Sequence, residues 1–375
     1  LDPYTSFYDE QAVEDARIRR AGEYGGIGVA VYYTKKGIQL KEIYKGYAAD
    51  RANLKAGDVI ISVDGQSLKE MEQAQCALFL KGIPKSTFDV EFERNGRVFK
   101  KELSRDKIIL NPVPFSDMID QETGYIPLTE FSEKASFEVK KAYRKLKKLG
   151  MTKLVFDLRS NPGGSLLEAI HISNFFLPKG KKIVSTKAKV KKWSNTYFSK
   201  NAPLDLEIPI VVLVNGRSAS ASEIVSGALQ DYDRAVIMGQ RSFGKGLVQR
   251  YRELTYGTQL KVTISKYYTP SGRCIQELDY ANRDEQGNVP KFSDARINAF
   301  QTTNGRTVYD GGGILPDVVI QTSNATSVTK KLLASRTIFN FVTDYYYQKK
   351  PLTDLERFQF SDTVFKDFIE YVRKD

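Results

Sequence analysis

Apolar residues recur in short alternating runs from Tyr24 to about Leu103. Asp64-Gly65 and Asn95-Gly96 interrupt these runs, and such pairs favour tight hairpin turns. One longer stretch, "LKEMEQAQCALFLKG", predicts a helix. The pattern therefore predicts a small α+β module of roughly 80 residues. Its strands are expected at "GGIGVAVYY", "IQLKEIY", "DVIISVDGQSL" and "FDVEFERNGRVFKKEL".

From about Thr123 the pattern changes to strands that alternate with helices. Apolar spacing predicts helices from Glu133 to Leu149, from Leu166 to Leu177 and from Ala221 to Gln230. Strands are expected at "GYIPLTEF", "KLVFDL", "IPIVVLVN", "RAVIMG", "LVQRYREL", "TQLKVTISKYYT" and "DVVI". This alternation predicts an α/β core with a largely parallel sheet. The aromatic tail from Ser327 predicts further helices packed on that core.

The composition allows a large buried core and more than one domain, because 41% of the 375 residues are hydrophobic and 27% are charged. No apolar run approaches the roughly 18 residues that cross a bilayer. The chain opens "LDPYTSFYDE" without an initiator Met, so we expect a trimmed chain from which an export signal or anchor has been removed. The two cysteines, Cys76 and Cys274, match no metal or redox spacing.

The net charge of +12 raises the question of a nucleic-acid partner. The lysines concentrate in "KKAYRKLKKLG" and "KGKKIVSTKAKVKKW", and neither segment belongs to a recognisable nucleic-acid module. In the first segment Val139, Tyr143 and Leu146 fall at helical spacing, which favours a solvated face of an amphipathic helix over a nucleic-acid site. Attraction to an anionic membrane surface is a weaker alternative.

The segment "NGRSASASEI" places Ser218, Ser220 and Ser222 at alternate positions before a predicted helix. Ser220 is followed three residues later by Glu223, the pattern of a capping box, and that local pattern favours a simple helix cap. A hydroxyl at a strand-to-helix turn is also placed to attack a carbonyl, since free N–H groups at the helix start can bind the developing oxyanion.

A serine nucleophile needs a base, and the chain offers two candidates of different kinds. The single histidine, His171, lies on a predicted helix, where a packing or surface role is favoured. Lys245 lies between Gly244 and Gly246, and a lysine can act as a base when desolvation lowers its pKa. Spacing alone does not distinguish this lysine from a surface residue in a turn.

Two glycine-containing segments allow other interpretations. "GQRSFGKG" fits the first seven positions of a phosphate-binding loop, but Gly246 replaces the Ser or Thr that binds Mg²⁺ and a strand pattern follows. Nucleotide binding is therefore disfavoured. "DLRSNPGGSLLEA" combines a sharp Asn-Pro-Gly-Gly turn with a following helix start, which offers more N–H donors, although a plain structural turn explains it equally well.

Taken together, these segments resemble the carboxyl-terminal processing peptidases, also called tail-specific proteases, which are serine peptidases with a Ser/Lys dyad and an embedded PDZ domain. The resemblance covers about residues 1 to 320 in the family's order. It rests on "LDPYTSFY", "GEYGGIGVAV", "LKAGDVIISVDGQ", "GYIPLTEF", "DLRSNPGG", "SASASEIVSGALQD", "RSFGKGLVQ", "YYTPSGRCIQ" and "GGGILPDVVI". Cys274 stands where the family commonly has serine or another small polar residue.

The resemblance implies a role for each matching residue. Ser220 is expected to be the nucleophile, Lys245 the general base, and Gln249 the residue that orients the lysine. Asp231 matches an acidic position linked to activity, and we expect it to support the structure more than the chemistry.

The oxyanion hole is expected to combine the N–H of Ala221 with that of Gly163 or Gly164, and the choice between the two glycines stays open. The loop that captures a substrate's terminal carboxylate is expected to contain Gly25, Gly26, Ile27 and Gly28, with the adjacent strand pairing with the peptide.

The implied architecture is a crotonase-like, ββα-spiral α/β peptidase core with an inserted α+β PDZ domain. The expected boundaries are an N-terminal segment at 1–22, a PDZ domain at 23–105, the Ser/Lys core at 106–325 and a helical C-terminal region at 326–375. The implied function is endoproteolysis of proteins with apolar C-termini, without metal or cofactor, in the bacterial periplasm or cell envelope. A PDZ scaffold on an inactive core is the alternative, and homodimer formation is left open.

Overall fold

The computed structural model describes residues 2–280, 282–291, 297–321, 325–348 and 359–374. The strands are β1 Ser6–Tyr8, β2 Glu23–Gly26, β3 Val29–Thr34, β4 Gly37–Ile43, β5 Val59–Val63, β6 Gln66–Ser67, β7 Thr87–Arg94, β8 Arg97–Ser104, β9 Asp106–Ile109, β10 Asp117–Met118, β11 Thr123–Pro127, β12 Lys153–Asp157, β13 Lys182–Lys187, β14 Asn195–Phe198, β15 Ile210–Val214, β16 Val236–Gly239, β17 Leu247–Glu253, β18 Gln259–Tyr268, β19 Ala299–Gln301, β20 Thr307–Tyr309 and β21 Val318–Val319. The α-helices are α1 Glu10–Ala21, α2 Ala48–Arg51, α3 Gln73–Leu80, α4 Ala135–Lys148, α5 Leu166–Phe176, α6 Ala221–Asp231, α7 Ser327–Ala334, α8 Thr337–Gln348 and α9 Asp362–Lys374.

The chain divides into two compact units. The core unit comprises Leu1–Gly22 and Leu110–Gln321, and the insert unit comprises Glu23–Ile109 and Thr322–Asp375.

A six-stranded sheet of order β10-β11-β12-β15-β16-β21 organises the core unit, and all its pairings except β10 with β11 are parallel. The predicted parallel sheet is therefore confirmed. Helix α4 packs with its buried Val139, Tyr143 and Leu146, as its spacing predicts, in one apolar core with residues of β12, β15, α5 and α6. Because β12 and β15 are parallel neighbours, the segments after their carboxyl ends begin side by side, which is where sites form in such sheets.

The core unit also contains a second, antiparallel sheet, which the sequence pattern did not predict as a separate layer. Strand β18 pairs with β1, β13 and β17, and β14 extends the sheet from β13. Strand β13 lies in a segment that we interpreted only as a lysine cluster, yet its Ile183 and Val184 are buried. Because lysines surround this short apolar run, the sequence pattern did not indicate a strand here.

The insert unit is built on a sheet of order β3-β4-β5-β7-β8, with β6 added to β5. The turns at Asp64-Gly65 and Asn95-Gly96 have positive φ at both residues, as the predicted hairpins require. The predicted helix at "LKEMEQAQCALFLKG" is only partly correct, because α3 begins at Gln73. Before it Glu70 adopts a left-handed φ of 56° in a turn. Among the described strands, β3 pairs only with β4, so it is an edge strand of this sheet.

The C-terminal helices pack within the insert unit, and the prediction that they pack on the α/β core was wrong. Phe339 of α8 makes an edge contact with Tyr32 of β3, with ring centroids 5.4 Å apart. Gln39 of β4 donates to Asn340 of α8 at 3.2 Å. No helix among the described residues has both the length and the apolar character to cross a membrane.

Candidate active site

Ser220 occupies the junction between a buried strand and a buried helix. It follows β15 and is the N-cap of α6, with a left-handed φ of 56° and ψ of −109°. The capping box with Glu223 is present, and the Glu223 carboxylate accepts the Ser220 N–H at 2.7 Å. The buried hydroxyl of Tyr267 donates to the Ser220 carbonyl oxygen at 3.1 Å. These contacts hold an otherwise unfavourable backbone conformation in place.

The three alternating serines have different surroundings. Ser218 Oγ donates to the Leu158 carbonyl at 2.7 Å, and Ser222 Oγ donates to the Asn161 carbonyl at 3.0 Å. Both of these serines are fully buried, whereas Ser220 is half-buried. Within the described part of the chain, the Ser220 hydroxyl donates to no acceptor. Ser220 is therefore the serine of the three whose hydroxyl proton is available for chemistry.

The Asn-Pro-Gly-Gly turn lies directly against this serine. Asn161 is fully buried and its carbonyl accepts both the Ala219 N–H and the Ser222 hydroxyl, each at 3.0 Å. Gly163, with φ of 101°, approaches so closely that a Cβ added there would lie 2.9 Å from Ser220 Cβ and from the Ala221 nitrogen. No side chain fits at this position, so the close approach requires glycine.

The N–H groups around Ser220 are not equally available. Gly163 donates its N–H to the side-chain oxygen of Asn161 at 2.9 Å. The N–H groups of Gly164 and Ala221 have no acceptor among the described residues. Of the two glycines that the sequence left open, Gly164 therefore retains a donor for a ligand.

Glu223 connects the serine turn to the lysine loop. Its Oε2 accepts the backbone N–H of Ser220 at 2.7 Å and that of Lys245 at 2.9 Å. Its Oε1 accepts the Ser242 hydroxyl and the Gly244 N–H, both at 2.6 Å. Glu223 is fully buried, and this burial raises its pKa to about 7, although the four donors favour the charged form.

Lys245 is half-buried, and its amine is perturbed in the direction that a base requires. Burial, followed by the positive charge of Lys261, lowers the pKa of Lys245 to about 8, while Glu223 and Asp2 oppose this shift. The Tyr4 ring lies below the amine, with its centroid 4.5 Å from Nζ. The neutral, basic form of Lys245 is therefore more accessible near physiological pH than that of an ordinary solvated lysine.

Gln249 lies on β17, four residues after the lysine. Its Nε2 donates to Thr263 Oγ1 at 3.1 Å, and Thr263 Oγ1 in turn donates to Asp2 Oδ1 at 2.9 Å. Asp2 also accepts the backbone N–H groups of Tyr4 and Thr5. Because the amide nitrogen is engaged in this way, the amide oxygen of Gln249 is the atom that remains able to accept a hydrogen bond.

Three parts of the chain match known families. Residues 122–281 match peptidase family S41, residues 16–91 match the PDZ domain, and residues 328–375 match the C-terminal helical domain of a probable PDZ-protease. The carboxyl-terminal-processing protease of Picosynechococcus sp. is 35% identical over 285 residues, which are 74% of this chain and 68% of that protein. The chain belongs to the carboxyl-terminal processing protease family.

Two further bacterial members of this family are similarly related. The carboxy-terminal-processing protease of Bartonella bacilliformis is 36% identical over 74% of this chain, and a probable CtpA-like serine protease of Staphylococcus aureus is 33% identical over 73%. The chain spans 65% and 55% of the lengths of these two relatives.

Asp231, the acidic residue matched to the family, ends α6 in a buried ion pair. Its Oδ1 lies 2.7 Å from Nη2 of Arg273, and both side chains are essentially inaccessible to solvent. Its Oδ2 accepts the Ser271 N–H at 2.8 Å. These contacts join the end of α6 to the segment of Ser271 and Arg273, and the structural role of Asp231 stays a prediction.

The expected carboxylate loop of the PDZ module is partly a strand. Gly25 and Gly26 lie in β2 and pair with β9, whereas Ile27 and Gly28 form the connection to β3. Ile27 is buried, and a Cβ on Gly28 would lie 2.3 Å from Tyr47 Cβ. Of the four expected residues, Ile27 and Gly28 therefore lie in a connection between strands, and the binding of a carboxylate by these residues stays a prediction.

The described residues of the two alternative sites, a histidine base and a phosphate-binding loop, are not arranged for those roles. His171 is exposed on α5, where Nδ1 lies 3.4 Å from Glu168 Oε1. In the glycine-rich segment the N–H groups of Gly244 and Lys245 are bonded to Glu223, so they do not cradle a phosphate. The described residues contain no group of three or more His, Cys, Asp or Glu side chains placed to hold a metal ion.

Sequence reasoning missed Asp2, Tyr4 and Thr263, and it gave Glu223 only a capping role. The capping box was the sequence signal that could have drawn attention to Glu223. A capping carboxylate has two oxygens, so it can also accept hydrogen bonds from a second segment, here the loop of Lys245. The contact between Asp2 and Thr263 spans 261 positions and left no local signal in the sequence.

Proposed function

We propose that this chain is a serine endopeptidase that binds the C-terminal end of a protein substrate and cleaves it through an acyl-enzyme. The observation that supports this most strongly is that one carboxylate, that of buried Glu223, accepts backbone hydrogen bonds from both Ser220 and Lys245. A residue that only capped helix α6 would not need to bind the backbone of Lys245, a glycine-flanked lysine whose pKa is lowered to about 8.

In the proposed reaction the neutral Lys245 amine removes the Ser220 hydroxyl proton as Oγ attacks the scissile carbonyl carbon. The resulting ammonium protonates the leaving amine, which releases the C-terminal product. Lys245, neutral again, then deprotonates water, and the hydroxide attacks the ester carbonyl carbon. The Lys245 ammonium returns its proton to Oγ as the acyl C–Oγ bond breaks, which releases the N-terminal product and regenerates Ser220. Gln249 orients the lysine through its amide oxygen.

The developing oxyanion would be bound by the N–H groups of Ala221 and Gly164. We prefer Gly164 to Gly163 because Gly163 already donates to Asn161. The position of Ala221 at the start of α6 adds the favourable field of a helix N-terminus.

For substrate capture we propose that the backbone around Ile27 and Gly28 binds the terminal carboxylate and that an apolar tail pairs with the N-terminal part of edge strand β3. The core is proposed to be of the crotonase-like type, supported by its parallel sheet with α4, α5 and α6 in one packed core. The protein is proposed to work in the periplasm or cell envelope, as a monomer or a homodimer, with membrane-surface association through the α4 lysines as a secondary possibility.

The test is incubation of the chain with an unstructured polypeptide that ends in apolar residues, followed by mass spectrometry of the products. Cleavage by the wild type and none by Ser220→Ala supports the proposal. Binding of the polypeptide without cleavage by the wild type would instead favour the scaffold alternative. Capping the polypeptide as a C-terminal amide should weaken binding if the carboxylate is recognised.

A further inference from the structure

Tyr4 lies against the amine of Lys245 because of how two strands pair with β18. Strand β1 begins shortly after Tyr4, and β17 begins shortly after Lys245. Both strands run antiparallel to β18 and occupy its opposite edges, since Lys261 of β18 pairs with Ser6 on one side and with Tyr251 on the other. The N-terminal ends of β1 and β17 therefore lie at the same end of β18, which brings two distant segments of the chain together.

Hydrogen bonds and a second aromatic ring hold Tyr4 in place. The Asp2 carboxylate accepts the Tyr4 N–H at 2.9 Å and also accepts the hydroxyl of Thr263 on β18 at 2.9 Å. The Tyr280 ring makes an edge contact with the Tyr4 ring, with centroids 6.3 Å apart. Burial raises the pKa of the Tyr4 phenol, so the phenol stays neutral and does not act as a base itself. Tyr4 thus places a neutral aromatic ring beside the lysine.

The ring is in direct contact with the amine. Nζ of Lys245 lies over the Tyr4 ring, 4.5 Å from its centroid, which is well within the range of a cation–π interaction. Burial and the charge of Lys261 disfavour the ammonium form, whereas the carboxylates of Glu223 and Asp2 favour it. The negative face of the ring acts in the same direction as these two carboxylates, and it does so at contact distance.

The charge on Lys245 changes during the proposed reaction. The neutral amine gains the Ser220 hydroxyl proton as Oγ bonds to the carbonyl carbon, and it then gives this proton to the leaving amine. An aromatic face attracts an ammonium far more than a neutral amine, so it stabilises the transition state more than the ground state. This step rests on the proposed role of Lys245 as the base. We propose that Tyr4 is a further catalytic residue, whose ring stabilises the ammonium form of Lys245 as Ser220 attacks.

The test weakens the attraction between ring and cation while keeping the shape of the ring. Tyr4→Phe is the reference, and phenylalanine with one, two or three ring fluorines replaces Tyr4 in the other variants, because each fluorine withdraws charge from the ring face. On the plateau above the pH inflection, we expect kcat/KM to fall stepwise to about a fifth of the reference value. The inflection should move about half a pH unit lower, since the ammonium loses stabilisation.

Tyr268 provides a matched control. Its ring centroid also lies 4.5 Å from a lysine amine, that of exposed Lys187. The same fluorinated series at Tyr268, with Tyr268→Phe as its reference, should change neither kcat/KM nor the inflection. Tyr4→Leu, which keeps an apolar side chain but has no aromatic face, should lose at least as much activity as the variant with three fluorines. Circular dichroism checks that each variant is folded.

The failure of this inference and that of the proposed function are distinguishable. If Lys245→Ala keeps its activity, the assignment of the base is wrong and the role of Tyr4 is overturned with it. If Lys245→Ala is inactive but the folded fluorinated variants at position 4 all match their reference, the ring acts only in packing, and the role of Tyr4 alone is overturned. A shift of the inflection to higher pH along the series would also contradict this role.

Discussion

Ser220 and Lys245 donate their backbone N–H groups to the same oxygen, Oε2 of Glu223, at 2.7 and 2.9 Å. A change at Glu223 therefore acts on both members of the proposed dyad at once. Glu223→Gln keeps the size of the side chain but replaces one carboxylate oxygen with an NH₂ group. This group faces two of the four hydrogen-bond donors and cannot accept from them. We expect kcat to fall about a hundredfold, because small misplacements of reacting groups have effects of this size.

The control for this prediction is Glu168→Gln, which changes a buried carboxylate on α5 that accepts the Ser136 N–H. Its kcat should stay within a few-fold of the wild type. Unchanged kcat in a folded Glu223→Gln protein would show that the shared carboxylate is not needed to position the dyad.

The pH dependence of activity should follow the neutral form of Lys245. Because its pKa is lowered to about 8, kcat/KM should rise with pH below this value and level off above it. Ionisation of Glu223, whose pKa is raised to about 7, acts in the same direction, since the carboxylate accepts its four hydrogen bonds best when charged.

Lys261 provides a specific test of this pH profile. Its positive charge lowers the pKa of Lys245, so Lys261→Gln should move the inflection of kcat/KM to higher pH. Lys266→Gln removes the same charge from an exposed position on the same strand and should leave the inflection in place. A shift to lower pH in Lys261→Gln would contradict the assignment of Lys245 as the base.

Thr263 should matter because it links Gln249 to Asp2. Thr263→Val removes both side-chain hydrogen bonds, and we expect kcat to fall about tenfold, which corresponds to one or two bonds of about 1 kcal/mol each. Thr263→Ser should restore most of the rate, whereas KM should change little. Loss of rate in Thr263→Ser equal to that in Thr263→Val would point to packing of the methyl group instead.

We expect a change at Asp231 to affect the free energy of unfolding more than the catalytic rate. Asp231→Ala leaves the fully buried Arg273 without its carboxylate, and we expect the free energy of unfolding to fall by about 3–5 kcal/mol. Urea unfolding measures this difference. Glu122→Ala breaks an exposed pair with Lys153 and should change the free energy of unfolding by less than about 1 kcal/mol.

Much of the fold could be predicted because its periodicity is strong. The helices around Val139 and Ile170 and the strands of the parallel sheet have clear apolar spacing, and α6 also has its capping box. Strand β13 was missed because lysines surround a short apolar core. The packing of the C-terminal helices could not be predicted, since an apolar helix face does not specify its partner.

Only the site residues that lie in a recognisable sequence motif could be predicted. Ser220, Lys245 and Gln249 lie in recognisable segments, but the donors that converge on Glu223 are largely backbone groups, which have no sequence signature. The preference for Gly164 over Gly163 depends on the bond from Gly163 to Asn161, which only the folded chain displays.

The most direct measurement compares kcat/KM on one unstructured substrate for the wild type, Ser220→Ala, Lys245→Ala and His171→Ala. We expect losses of at least about a thousandfold in the first two variants, as for other nucleophile and base deletions, and wild-type activity in His171→Ala. Full activity in Ser220→Ala or Lys245→Ala, or its loss in a folded His171→Ala protein, would contradict the Ser220/Lys245 dyad.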